Sequence, residues 1–165
     1  MSDPDVVAGL VERLATSLRR DGVRLATAES CTGGLLAAAC TALAGSSDWF
    51  ERGFVTYSND AKSELLGVPA ALIAAHGAVS AEVARAMVDG ALARSHAALA
   101  VAVTGIAGPG GGSPTKPVGT VWIGVGRAGE PASATLLQAH GDRAAIRAAS
   151  VERALALLLA RVGAA

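Results

Sequence analysis

The sequence predicts an α/β fold, a three-layer α/β/α sandwich built on a mixed, mostly parallel sheet. Three observations predict it. Residues 97–104 form a continuous apolar run, the pattern of a strand covered on both faces, and 23–28 is a short apolar stretch that reads as a buried strand. Segments with helical periodicity alternate with the β-rich runs, the order that places helices on both sides of a parallel sheet. Near the C-terminus two β-rich runs, 120–126 and 132–139, are joined through a turn-rich connection at 127–131, which adds a hairpin and makes the sheet mixed.

Taken in order, residues 4–20 place Val6, Val7, Leu10, Leu14 and Leu18 on one helical face, and Arg19, Arg20 and Gly22 signal its end. The first strand, 23–28, follows. A second helix is expected over 32–42, stopped by Ala44, Gly45 and Ser46. Residues 50–57 are β-rich around Phe54, Val55, Thr56 and Tyr57, and the second half is expected to be a strand. Ser58 is a cap residue for a short helix ending at Gly67, and Pro69 opens another running to His76. Ser80 caps a longer helix to Arg94. The strand at 97–104 leads into a glycine- and proline-rich loop, GIAGPGGGSPTKPVG, at 105–119. After the hairpin, Gly141 and Asp142 start a last helix whose buried side carries Ile146, Val151, Leu155, Leu158 and Val162.

The chain of 165 residues is expected to make one domain, 1–165, because a chain near that length buries roughly 70 % of its extended surface around one core. Hydrophobic residues make up 52 % and charged residues 17 %, which excludes the low-hydrophobicity, high-charge profile of disorder. Fourteen Lys and Arg balance fourteen Asp and Glu, so the basic excess that drives binding to phosphate backbones or anionic lipid is missing. No nucleic-acid partner and no membrane are expected. The first 20 residues carry Asp3, Asp5 and Glu12 ahead of any long apolar stretch and do not read as a signal peptide, so a cytoplasmic location is expected. Cys31 and Cys40 are the two cysteines, and His76, His96 and His140 are scattered singly; no metal-ligand spacing is present, and neither a metal nor a cofactor is expected. The alanine-rich, apolar helices lead us to expect a homodimer.

In open α/β sheets ligands bind beyond the carboxyl ends of the strands. Three segments, AESCTGG (28–34), TYSNDAK (56–62) and GIAGPGGG (105–112), each follow an expected strand and compete for that place. Ser30 stands between strand and helix, where a nucleophile is presented and helix N–H groups aim at a developing oxyanion. The same position suits an ordinary helix cap, and Thr32 offers itself for that role. Cys31 is a competing nucleophile or a packed thiol. With Ser58 as cap, Tyr57 and Lys62 take positions that meet in a hydrophobic staple, so a phenol and an amine are brought together. Lys62 lies in the first turn, where the helix dipole disfavours a cation, and a neutral amine can serve a serine as base. The bland alternative is a solvated lysine beside Asp60 with Tyr57 in the core. The glycine loop matches neither G-x-x-x-x-G-K-[ST] nor G-x-G-x-x-G, yet its N–H groups could form an anion nest with Lys116 nearby. Arg143 and Arg147 share one face at the start of the last helix, a poor place for cations unless an anion or a carboxylate is close.

Together AESCTGG, TYSNDAK, VTGIAGPGGGSPTKPVGTV (103–121) and GDRAAIR (141–147) closely resemble the CinA C-terminal-domain family, which contains the nicotinamide-nucleotide amidohydrolases. The resemblance covers nearly the whole chain, in its stand-alone form. It implies hydrolysis of the carboxamide of nicotinamide mononucleotide to nicotinic acid mononucleotide and ammonia, in pyridine nucleotide recycling. It implies Ser30 as nucleophile, Lys62 as general base and Tyr57 as a third member that orients or relays protons. Backbone N–H groups of Cys31, Thr32, Gly33 and Gly34 would hold the oxyanion. Thr104, Gly105 and the following loop, with Gly108, Gly110 and Gly111, would hold the ribose phosphate, assisted by Lys116, Arg143 or Arg147. A non-catalytic binding or regulatory module, and an amidase for another substrate, are the alternatives.

Overall fold

The computed structural model describes residues 3–163. Within them five strands form one sheet: β1 (Leu25–Glu29), β2 (Phe50–Val55), β3 (Leu99–Gly105), β4 (Thr120–Arg127) and β5 (Ser133–Gln138), in the spatial order β2-β1-β3-β4-β5. β1 pairs in parallel with β2 and β3, while β4 is antiparallel to both β3 and β5. Four strands therefore share one direction and β4 opposes them. The sheet is mixed and mostly parallel, as the sequence predicts.

The side-chain alternation along the strands assigns the two helical layers. Leu25, Leu99, Val101, Val103, Val121, Ile123 and Val125 face a core completed by α1 (Pro4–Asp21), α2 (Leu35–Ala42) and α6 (Arg143–Gly163). Ala26, Ala28, Ala100 and Ala102 face the opposite core, closed by α3 (Asn59–Leu66), α4 (Ala70–His76) and α5 (Ala81–Ala93). Large residues thus line one face of the sheet and alanines the other, so α5 packs close to the strands. On that side a Cβ at Gly124 would sit 2.7 Å from the Ala84 carbonyl oxygen and 2.8 Å from Val88 Cγ2. Only glycine permits that approach.

Several boundaries differ from the expectation by a few residues, β3 and β5 among them, and three of the differences have a local reason. α2 starts at Leu35 rather than at residue 32, because Gly33 (φ 57°) and Gly34 (φ 103°) adopt left-handed conformations that a helix cannot include. Neither Ser30 nor Thr32 caps it. β2 occupies residues 50–55 instead of the second half of 50–57, since pairing of Leu25 with Phe50 draws the first half into the sheet. β1 begins two residues late: Gly22 (φ 64°) turns the chain out of α1, and Val23 N–H still donates to Leu18 O at 3.0 Å. The glycine loop is closed at its base by Ile106 N–H to Thr120 O and Gly119 N–H to Ile106 O, so it is the long tip of the β3–β4 connection.

Candidate active site

The parallel strands β1, β2 and β3 release their following loops at one edge of the sheet. With the start of α6 these loops enclose a cavity of about 230 Å3 whose walls include Ser30, Cys31, Tyr57, Asn59, Lys62, Thr104, Gly105 and Arg143. Larger hollows of about 640 and 400 Å3 lie between α1 and α6 and among α1, α2 and α6. The hydroxyls in the first, Thr16 and Ser17, bond carbonyls of their own helix, and the second is walled by aliphatic side chains. The chemistry lies in the smaller cavity.

Ser30 directly follows β1, with its N–H donating to Val103 O at 2.9 Å and its carbonyl accepting from Gly33 N–H at 3.0 Å. Its Oγ lies 3.0 Å from Lys62 Nζ and 3.3 Å from Tyr57 O. Lys62 reaches this point because Ser58 caps α3, accepting from Ala61 N–H at 3.0 Å. The first turn of α3 then folds the lysine back over residues 56–58. Its Nζ donates to Thr56 O at 2.9 Å and Tyr57 O at 3.1 Å, and only 1 % of the residue is exposed. Burial pushes the Lys62 amine below the ordinary lysine value, against a smaller opposing effect of Cys31. A longer contact, 3.5 Å, reaches Ser58 O, so three carbonyls and the Ser30 hydroxyl surround the amine; when neutral it has a lone pair that can accept from that hydroxyl.

Cys31 also lines the cavity, but burial pushes its thiol up to about 11. At neutral pH it remains a thiol, and so a poor nucleophile. Tyr57 is not the staple partner the spacing predicts: the residue is 61 % exposed and its hydroxyl accepts from Arg143 Nη2 at 3.3 Å. The carbonyl of Tyr57, not its phenol, meets Lys62. Neither is it the core ring of the bland alternative.

The three basic residues named from the sequence part company. Arg143 lines the cavity and is held by donation from Nη1 to Gly108 O at 2.9 Å. Lys116 turns away, donating to His76 O at 2.7 Å. Arg147 passes behind the Ser30 turn and donates to Cys31 O and Thr32 O, both at 3.1 Å. Thr104 lines the wall and donates to Ala78 O at 2.9 Å, and Gly105 lies beside it. Gly108 contributes its carbonyl, whereas Gly110 and Gly111 are exposed and outside the walls. Thr32 is fully buried, and Gly33 and Gly34 lie outside the cavity lining.

Sequence reasoning missed Glu29. Its carboxylate, 1 % exposed, accepts from Leu36 N–H at 2.8 Å and Ala37 N–H at 3.1 Å, and so caps α2 from the residue preceding Ser30. It also missed Asn59, Ala78, Val79 and Ala107 in the wall. Asn59 sits inside the TYSNDAK segment, but nothing in its spacing marked it. Among the described residues no group of three or more His, Cys, Asp or Glu is placed to hold a metal ion, and no helix is long and apolar enough to cross a membrane.

A sequence model described as the CinA C-terminal domain matches residues 7–162. The chain belongs to the CinA C-terminal domain family. Among relatives of this CinA domain is a protein of Pseudomonas putida named nicotinamide-nucleotide amidohydrolase PncC, 53 % identical over 155 residues, which are 94 % of this chain and 96 % of that protein. A putative competence-damage inducible protein of Symbiobacterium thermophilum is 53 % identical over 95 % of this chain, which spans only 38 % of that longer protein. Among solved structures, the competence/damage inducible protein CihA of Agrobacterium tumefaciens superposes with a TM-score of 0.92 at 47 % identity, covering 97 % of this chain and 98 % of that one. A CinA superfamily protein of Klebsiella pneumoniae gives 0.92 at 38 % identity, covering 96 % and 99 %.

Proposed function

We propose that this CinA domain is a serine amidohydrolase that converts nicotinamide mononucleotide and water to nicotinic acid mononucleotide and ammonia, within pyridine nucleotide recycling. The observation that carries the reading is the 3.0 Å approach of a buried lysine amine to the Ser30 hydroxyl at the end of a strand. The Pseudomonas putida relative, with the name it bears and 53 % identity over nearly the full length of both chains, supports the substrate. The proposal extends to one cytoplasmic domain over residues 1–165, working as a homodimer without a metal.

In the proposed reaction neutral Lys62 takes the Ser30 proton as Oγ attacks the carboxamide carbon. The oxyanion needs N–H donors that are not already engaged. Gly33 N–H is committed to Ser30 O, and Leu36 and Ala37 N–H are committed to Glu29. Cys31 N–H, in the wall, donates to no carbonyl and to no other residue among the described residues; it meets only its own sulfur, a weak acceptor. Gly105 supplies the second donor by strand parity: Ile106 N–H faces β4 and Val103 O faces β1, so Gly105 N–H points to the β1 side just beyond the strand's end. Each such donor contributes about 3–4 kcal/mol to lowering the barrier. Protonated Lys62 then gives its proton to the amide nitrogen, the C–N bond breaks and ammonia leaves. Water attacks the ester with Lys62 as base, and Oγ recovers its proton as the acid departs.

Tyr57 orients Lys62 through its carbonyl, and its phenol joins Arg143 at the rim. Arg143 is the cation we assign to the phosphate, with Thr104 and Gly105 beneath the ribose. The test is ammonia release from nicotinamide mononucleotide by the purified, metal-free chain. Wild type should turn over and Ser30→Ala should lose at least about a hundredfold. An active Ser30→Ala, or a wild type inert on this amide, removes the reading.

A further inference from the structure

Arg143 and Arg147 stand one turn apart on α6, yet Arg143 enters the cavity and Arg147 does not. Arg147 instead spreads its guanidinium over two consecutive carbonyls, Nε to Cys31 O and Nη2 to Thr32 O. These belong to the turn that carries Ser30. The bond from Gly33 N–H to Ser30 O closes a β-turn with Cys31 and Thr32 as its central residues. The two common forms of such a turn differ by a flip of the central peptide, here the Cys31 carbonyl with the Thr32 N–H. The flipped form requires a positive φ at the third position, and Thr32, like every other non-glycine residue described, has none.

We infer that Arg147 is a positioning residue for catalysis, one that locks the peptide planes of the Ser30 turn from behind through the Cys31 and Thr32 carbonyls. A carbonyl and the following N–H point in opposite directions across a trans peptide. Donation to Cys31 O therefore holds the Thr32 N–H away from the guanidinium, and a flip would press that N–H against a cation. Thr32 O receives Leu35 N–H as well, at 3.0 Å, so the same oxygen joins the clamp to the start of α2. A planar fork with several donors in fixed directions suits two adjacent carbonyls, and a lysine ammonium does not reproduce it. The consequence is a fixed relation between Ser30 Oγ and the Cys31 N–H.

The inference rests on Ser30 being the nucleophile, as proposed above. It differs sharply from a phosphate-binding role for Arg147. The experiment compares wild type, Arg147→Met, Arg147→Lys and Arg143→Ala on nicotinamide mononucleotide and on nicotinamide riboside, which lacks the phosphate. Arg147→Met should lower kcat about ten- to a hundredfold by the same factor on both substrates, with KM within about twofold, and Arg147→Lys should recover part of the loss. Arg143→Ala should raise KM for the phosphorylated substrate alone. Hydrogen exchange of the same proteins reads the turn directly: amides of residues 31–37 should exchange at least about tenfold faster in Arg147→Met, with α5 and β3 unchanged. A loss confined to the phosphorylated substrate and expressed in KM makes Arg147 a phosphate ligand and overturns the inference. Unchanged exchange in the turn overturns it too, and so does kcat within twofold of wild type. If wild type releases no ammonia, the amidohydrolase reading fails by itself, and the exchange of residues 31–37 still decides whether Arg147 holds the turn.

Discussion

Lys62→Met keeps the length and apolar stem of the side chain and removes its amine, so it isolates what that amine does. In the wild type Nζ serves four oxygens, Ser30 Oγ at 3.0 Å, Thr56 O at 2.9 Å, Tyr57 O at 3.1 Å and, at the longest distance, Ser58 O at 3.5 Å. Loss of a general base costs about 10²- to 10⁴-fold, or about 3–5 kcal/mol at 1.36 kcal/mol per decade. The fold is affected in two opposed ways. Two inward carbonyls lose a donor, at about 1–3 kcal/mol each, while the amine no longer has to be buried. A melting temperature within several degrees of wild type is therefore expected beside a large loss of rate. The pH dependence supplies the sharper readout. Because burial lowers the folded value below 10.5, the unfolded chain holds a proton between those two values that the folded chain has released. Wild-type stability accordingly rises with pH across that window, and below it the whole cost of burying the charge is present. The rate should rise through the same folded value, since catalysis needs the neutral amine. Initial rates of ammonia release from pH 6 to 10, set beside thermal melts over the same range, measure both trends. A Lys62→Met enzyme within fivefold of wild type, or one that keeps the acid-side fall in rate, would refute the assignment of Lys62 as base.

Cys31 should resist alkylation: with its thiol near 11, the thiolate is roughly three parts in ten thousand at pH 7.5, so mass spectrometry should find iodoacetamide labelling slow there and rising steeply above pH 10. Rapid labelling at neutral pH would contradict the burial argument. Glu29→Gln leaves one oxygen for two N–H groups and turns an amide nitrogen toward the other; we expect a loss of about 1–2 kcal/mol, seen as a melting drop of roughly 2–8 °C, together with reduced turnover. An unchanged melt would mean that the cap contributes nothing. Gly124→Ala forces a methyl against the Ala84 carbonyl and Val88, and should destabilise by about 1–3 kcal/mol in denaturant titration while the cavity residues stay in place. A neutral result would show that α5 can withdraw freely.

What the sequence conveyed, and what it did not, divides by the range of the interaction. The alternation of Leu, Ala, Val, Ala and Val along β3 carries the two-faced burial of a central strand, and the order of periodic segments carries the layers. The pairing of Ser30 with Lys62 was legible for a related reason: both follow strands that run the same way, so their loops emerge at one edge. The details of that pairing were less so. Helix-start spacing placed Tyr57 and Lys62 together correctly along the chain, but it could not say that a backbone carbonyl would make the contact while the ring turned outward to Arg143. The start of α2 was misplaced because propensity over residues 32–42 is high, and the two glycines override it only when a buried carboxylate immediately before the turn, Glu29, is free to take the N–H groups of Leu36 and Ala37. Arg147 is the extreme case. Its partners Cys31 and Thr32 lie more than a hundred residues away, and a cation near the start of a helix gives the same local signal whether it awaits a phosphate or holds two carbonyls. Charge and helical position reveal that such a residue needs an electron-rich partner; only the tertiary arrangement selects which one.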